Sequence, residues 1–173
     1  MLPNNNAYTA NYWIEKLQLE LHIEGGAYRR SYEAALQLSP TILPNTFYGE
    51  RPVATAIYFL LQAHQFSAMH RIASDELWHF YYGDALEVYE IKTDGSLQIH
   101  LLGNNPAGKE QFQAVVTAGS WFGSKVKAGG SYALVGCTVS PGFHFDDFEL
   151  GARETLVEQF PQHKEVITTF TRF

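Results

Sequence analysis

A single cysteine, Cys137, stands among 173 residues, so no internal disulfide can form, and a cytoplasmic protein is expected. The opening Met-Leu-Pro-Asn-Asn-Asn has neither the basic start nor the apolar stretch of a secretory signal, which points the same way. Long hydrophobic runs are missing too. The segment 57–61 is typical of the longer ones, far short of the ~20 residues a membrane helix needs, and a soluble protein without a membrane partner follows. Positive charge is scarce, with 12 basic residues against 18 acidic and a formal charge of −6. With no basic run to supply phosphate contacts, nucleic acid is not an expected partner. There is no fixed-period repeat, no low-complexity segment and no linker-like stretch, so residues 1–173 form one expected domain.

What the chain does have is aromatic side chains. They make up 14% of it, including 10 Tyr and 12 Phe, and such residues suit strands better than helices. Residues 53–62 alternate Thr55, Ile57, Phe59 and Leu61 with Ala54, Ala56, Tyr58 and Leu60. Both sets are largely apolar, as in a strand covered on both faces. Segments 85–91 and 97–102 flank Asp94-Gly95, a strong hairpin signal. Segments 111–116 and 132–140 add further strands, the latter carrying Cys137 in an apolar pattern that argues for packing. A first helix, capped by Asn5 or Asn6, would place Ala10, Trp13, Ile14 and Leu17 on one face and pack outside the sheets. A strand starting at Ala27 would put Tyr28, Arg30 and Tyr32 on one face. Residues 37–52 have the punctuation of a loop, and helix-like stretches on either side of Pro161 should pack on the exterior. Seven or more short strands with turns between them predict an all-β sandwich or barrel, and the two-sided strand favours a double-sheet jelly roll.

Residues 69–83 carry the one specific chemical signal. His70 stands six residues before Glu76, a spacing that can bring an imidazole and a carboxylate together from neighbouring strands for proton transfer or metal ligation. Glu76 sits among Leu77, Trp78 and Phe80, where a carboxylate is costly to bury unless it is functional or paired, Arg30 and Arg71 being the candidate partners. Alternation turns His79 to the opposite face. Glu24, Tyr28 and Arg30 form a polar cluster able to bind an anionic or carbonyl ligand, or to make an ion pair. Tyr58 is a candidate acid, and Trp78 and Trp121 are candidate ring-stacking residues. In segment 143–148, which can close a pocket, His144 and Asp146 are candidates for its mouth and Asp147 for solvent. His22, His64, His100 and His163 have no partner spacing.

At His70-x-Ile72, Glu76 and Gly83 the chain resembles the first motif of the cupin superfamily, in which two histidines one residue apart and a glutamate bind a metal inside a small barrel. Ile72 stands in place of the second histidine. Glu24-Gly25-Gly26-Ala27-Tyr28-Arg29-Arg30, Ser74-Asp75-Glu76-Leu77-Trp78-His79-Phe80-Tyr81 and Gly136-Cys137-Thr138-Val139-Ser140-Pro141-Gly142-Phe143 sharpen the match. Together they resemble the cupin type five branch, a domain family of unknown function, over about residues 12–160.

The resemblance implies a double-stranded β-helix, the cupin jelly-roll barrel, with a short N-terminal helix and a C-terminal helical tail. It also implies a homodimer with a polar pocket inside each barrel, and kinship with metal-free deoxysugar epimerases that use a histidine base and a tyrosine acid. The second cupin motif offers a histidine three residues after a glycine, whereas Gly119-Ser120-Trp121-Phe122 ends in Phe122. Only His70 and Glu76 remain of the four ligand positions, too few for a tight zinc or iron site, so no cofactor is expected.

The leading expectation is a small polar metabolite, sugar or nucleotide-sugar like, bound in the barrel and isomerised by His70, Glu76 and Tyr58 or Tyr28. Ligand-binding roles then fall to Glu24, Tyr28, Arg30, Trp78, Trp121, His144 and Asp146. One alternative is a non-catalytic binding module. Another is a metal-dependent cupin enzyme holding a divalent ion through His70, Glu76 and further ligands such as His79 or Glu24.

Overall fold

The computed structural model describes residues 8–172. Its first helix, α1 (Ala10–Leu17), is capped by Thr9, whose hydroxyl accepts the Tyr12 amide at 3.2 Å. The Asn5 or Asn6 cap expected from sequence lies outside the described residues.

Thirteen strands follow before and between short helices: β1 (Glu20–Leu21), β2 (Ala27–Glu33), β3 (Gln37–Leu38), β4 (Arg51–Pro52), β5 (Thr55–Gln62), β6 (Ser67–Ile72), β7 (Asp75–Gly83), β8 (Leu86–Ile91), β9 (Leu97–Leu102), β10 (Gln113–Val116), β11 (Trp121–Val126), β12 (Tyr132–Ser140) and β13 (Phe148–Leu150). The tail forms α2 (Arg153–Gln159) and α3 (Lys164–Phe170). No helix among the described residues is long and apolar enough to cross a membrane.

One sheet runs β1-β2-β5-β12-β7-β10 and the other β13-β6-β11-β8-β9, with antiparallel pairing throughout. Their inner faces meet in one core, in which Phe59 and Leu61 from β5, Trp78 from β7 and Val135 from β12 face Ile72, Val88 and Phe122. Two outer layers complete the burial. Trp13 and Ile14 of α1 cover Leu60, Tyr132 and Leu134, while Leu156, Ile167 and Phe170 of the tail cover Met69, Ile91 and Trp121. The two-sided apolar patterns of β5 and β12 thus have a direct cause, since each strand has the barrel on one side and helix or aromatic cover on the other.

Three expectations need correction. Tyr32 does not share a face with Tyr28 and Arg30. A bulge between Arg30 and Tyr32 shifts the register so that Arg30 pairs with inward Ile57 and Tyr32 with outward Ala56. Segment 37–52 is also more than a loop, because β3 and β4 pair within it and Arg51 is 2% exposed. The partner of Arg51 is Asp147, in a two-pronged contact at 2.6 and 2.7 Å, with further bonds to the carbonyls of Tyr48 and Glu50. Asp147, expected in solvent, is therefore buried. It pins segment 143–148 to β4 across 96 residues of sequence.

Breaking this pair would strand a desolvated guanidinium. Asp147→Ala should lower the unfolding free energy by about 3–5 kcal/mol in urea titration, whereas Asp146→Ala, on an exposed neighbour, should stay within ~0.5 kcal/mol. Equal effects would show that the contact contributes no more than an exposed charge.

Candidate functional site

The inner faces of β2, β5, β6, β7 and β12 and the segment before β2 enclose a cavity of about 50 Å³ lined by Glu24, Tyr28, Arg30, His70, Glu76 and Cys137, among others. Local chain chemistry explains how Glu24 gets there. Gly25 and Gly26 adopt φ of +116° and +74°, and a Cβ on them would lie 2.2 Å from the Phe66 carbonyl oxygen and 2.8 Å from that of Leu60. Only glycine allows the chain to turn this tightly against β5 and β6. The turn is held by the Ala68 amide donating to the Glu24 carbonyl at 2.7 Å and by Arg172 donating to the same oxygen at 2.9 Å.

His70 enters from β6, its ring 4.1 Å from that of Phe122 and 5.3 Å from that of Phe148 between centroids. Its Nδ1 lies 2.7 Å from the Ala68 carbonyl, which can only accept, so Nδ1 carries the hydrogen. The other nitrogen, Nε2, is thereby left as the basic one, 3.0 Å from Oε2 of Glu24. Oε1 of Glu24 accepts from the Ser67 hydroxyl at 3.0 Å. Behind Glu24, Nδ1 of His22 accepts the Glu24 amide at 3.3 Å, and its ring stands edge-on to Tyr28 at 4.4 Å.

Glu76 comes from β7 and is bonded to the Cys137 thiol. Neither candidate arginine reaches it, since Arg30 bonds Glu33 and Arg71 bonds Glu149.

Burial governs the charge state of this group. It pushes the carboxyls of Glu24 and Glu76 up to about 7 and pushes His22 and His70 below the usual imidazole value. Both partners of the Glu24–His70 pair are thus driven toward their neutral forms. In that state the carboxyl O–H of Glu24 donates to Nε2. Burial, followed by the Glu76 charge, also raises the Cys137 thiol, which keeps it protonated rather than nucleophilic.

The structure brings His70, Glu76, Glu24, Tyr28 and Arg30 to one cavity and places the other candidates elsewhere. Tyr58 pairs with Arg29 and Gly136 on the outer face of its sheet, against Tyr81, where it cannot reach His70. Trp78 is packed in the barrel core edge-on to Phe59 and Phe122. Trp121 lies under the C-terminal helices with Arg71 over its ring at 4.6 Å. His144 and Asp146 are exposed and contact each other at 3.3 Å. His79 faces outward, bonded to Thr138 and Gln113.

Sequence reasoning missed His22, Ser67 and Cys137 as lining or supporting residues. His22, two positions from Glu24 and just before the glycine pair, carried a usable signal. It also missed the buried pair of His100 and Glu90 at 2.8 Å, where Glu90 further accepts from the Thr117 amide and hydroxyl. The Asp94-Gly95 hairpin sets that register and could have revealed it.

An antiparallel barrel of two sheets with a polar cavity on the inner face is the cupin type of jelly roll. The chain belongs to the cupin superfamily family DUF985, whose model matches residues 11–151. It is similar to a protein from Shewanella oneidensis at 40% identity, with 95% of this chain and 98% of that one covered and a TM-score of 0.85. It is likewise similar to a hypothetical protein from Leishmania major at 34% identity, covering 96% and 100%, with a TM-score of 0.89. Oxalate decarboxylase from Bacillus subtilis shares the fold alone, at 15% identity over 87% of this chain and 36% of that one, TM-score 0.52. No curated protein matches the chain.

The donor set does not suit a closed metal centre. Ile72 and Phe122 present hydrocarbon at two of the four positions, Nε2 of His70 is engaged by Glu24, and no three His, Cys, Asp or Glu side chains among the described residues are arranged around a common ion position.

Because both carboxyls are held near 7, the folded protein binds protons between pH 4.5 and 7 that the unfolded chain has released. That contribution to stability is present at low pH and is lost as pH rises through about 7. Glu76→Gln removes one such group. Relative to the unmodified protein it should gain roughly 2–3 kcal/mol between pH 4.5 and 8 in urea unfolding, and parallel profiles would mean that Glu76 does not titrate in this range.

Proposed function

We propose that the cavity binds one end of a small polar metabolite of the sugar type and isomerises or epimerises it by acid–base chemistry, with His70 as the base. The observation that carries this reading is the tautomer of His70. A backbone carbonyl fixes the hydrogen on Nδ1, and Nε2 is left as the basic nitrogen at the cavity, where it exchanges its contact with the Glu24 carboxyl, poised near neutrality, for the incoming substrate.

Nε2 takes the proton from a carbon next to the substrate carbonyl, the C–H electron pair moves toward that carbonyl, and a proton from the opposite side neutralises the enolate oxygen. Return of a proton to carbon then gives the isomer with no net gain or loss of atoms. Tyr28, which lines the cavity, supplies the acid in place of Tyr58. Glu76, facing the same cavity, stabilises the imidazolium that forms transiently, as the charge attraction between the two side chains favours. Phe143 and Phe148 give the cavity an apolar wall beside these groups.

The test is hydrogen–deuterium exchange at the carbon next to the carbonyl, followed by NMR in D2O across a panel of reducing sugars and their phosphates. At least one member should lose its C–H signal with the unmodified protein, and His70→Asn should slow that loss by about 10²–10⁴-fold while the circular dichroism spectrum is unchanged. Exchange that survives the substitution overturns the assignment of the base. Ligand affinity that falls with no exchange in any member would instead favour a binding module.

A further inference from the structure

The inner cavity, at about 50 Å³, is small beside the ~300–1,000 Å³ of ordinary ligand sites, and it holds only a few non-hydrogen atoms. It does not end blindly. Tyr28, Arg30, Ile57 and Phe143 are shared with an adjoining open depression of about 370 Å³, whose other walls include Arg29, Phe145 and Glu20. Inner and outer compartments differ in charge. Glu24 and Glu76 face the inner one, and Arg30 at the boundary is its only Lys or Arg lining residue among the described residues. The outer one carries Arg29 and Arg30 against the single carboxylate of Glu20.

The two arginines differ in orientation, Arg30 pairing with inward Ile57 and Arg29 with outward Tyr58. Arg30 touches only exposed Glu33, a surface pair of little strength. Arg29 is committed to the outer side, where it gives Nη1 to Gln18 at 3.1 Å. A third depression, on the far side of Phe148, has Arg71 already bonded to Glu149 and adds Asp146 and Asp147, so it opposes anions.

Resting on the sugar-type reading above, we infer that the ligand is bipartite: an uncharged hydroxy- or carbonyl-bearing head of a few atoms against Glu24 and His70, and an anionic phosphate group held outside by Arg30. An anionic head is disfavoured because the small buried compartment would strip its hydration with no lining cation among the described residues beyond boundary Arg30 to compensate. An anionic tail gains the guanidinium donors, which match phosphate geometry in pairs. The aromatic walls Phe143 and Phe145, edge-on at 5.1 Å, flank the passage between head and tail.

The experiment is calorimetric binding with matched neutral and phosphorylated compounds: glycerol and glycerol 3-phosphate, erythritol and erythritol 4-phosphate, with inorganic phosphate alone as a third probe. At least one phosphorylated member should bind tenfold or more tightly than both its neutral partner and inorganic phosphate. Arg30→Ala should erase that preference, and Arg71→Ala should leave it intact. Equal affinities within every pair, absence of binding by every phosphorylated member, or a preference that persists in Arg30→Ala all overturn the inference. If the charge preference holds while exchange survives His70→Asn, the catalytic reading fails and the bipartite ligand stands.

Discussion

Two carboxyl groups and an imidazole share one buried cavity, and the rest of the molecule is arranged to make that tolerable. An isolated ionised carboxylate in such a place would be prohibitively costly, and the site answers by sharing protons rather than by pairing with arginine. Glu24 leans on His70 and Ser67, Glu76 on Cys137, and each imidazole uses a backbone group to settle its tautomer. Proton affinities on both sides are thereby drawn toward neutrality, which suits proton transfer near pH 7 and equally suits reversible binding of a polar ligand.

Elsewhere the barrel uses a different solution for buried charge. Arg51 with Asp147, and Glu90 with His100 and Thr117, are fully satisfied clusters in which every principal hydrogen bond has a partner. They tie loops to strands through bonds made within the cluster. The contrast separates structural polarity from chemical polarity within one small domain. Where the network closes on itself the residue supports the fold, and where it opens onto a cavity the residue has work left over.

Much of the fold was legible because it depends on alternation and turns. The two-sided pattern of residues 53–62, the Asp94-Gly95 hairpin and the break at Pro141 each have a local physical cause, and the jelly roll follows from their number. The site was legible only in part. His70 and Glu76 could be paired because both lie on strands of known phase, and Glu24 because of its glycine neighbours. Tyr58 was misplaced because both faces of β5 are apolar, so alternation could not say which one looks into the barrel. Trp78 and Trp121 went astray for the same reason, being large aromatics that a core can absorb as readily as a site can. Asp147 was read as solvated because its partner lies 96 residues away, a distance over which no local pattern carries information.

Arg172 hands hydrogen bonds to the carbonyls of Ile23 and Glu24 and lays its guanidinium over Phe66. The site is consequently stitched from segments near opposite ends of the chain. The Glu24 carbonyl is held jointly, by the Ala68 amide from within the barrel and by Arg172 from beyond the last helix. The placement of Glu24 therefore draws on a residue that lies beyond every strand of the two sheets.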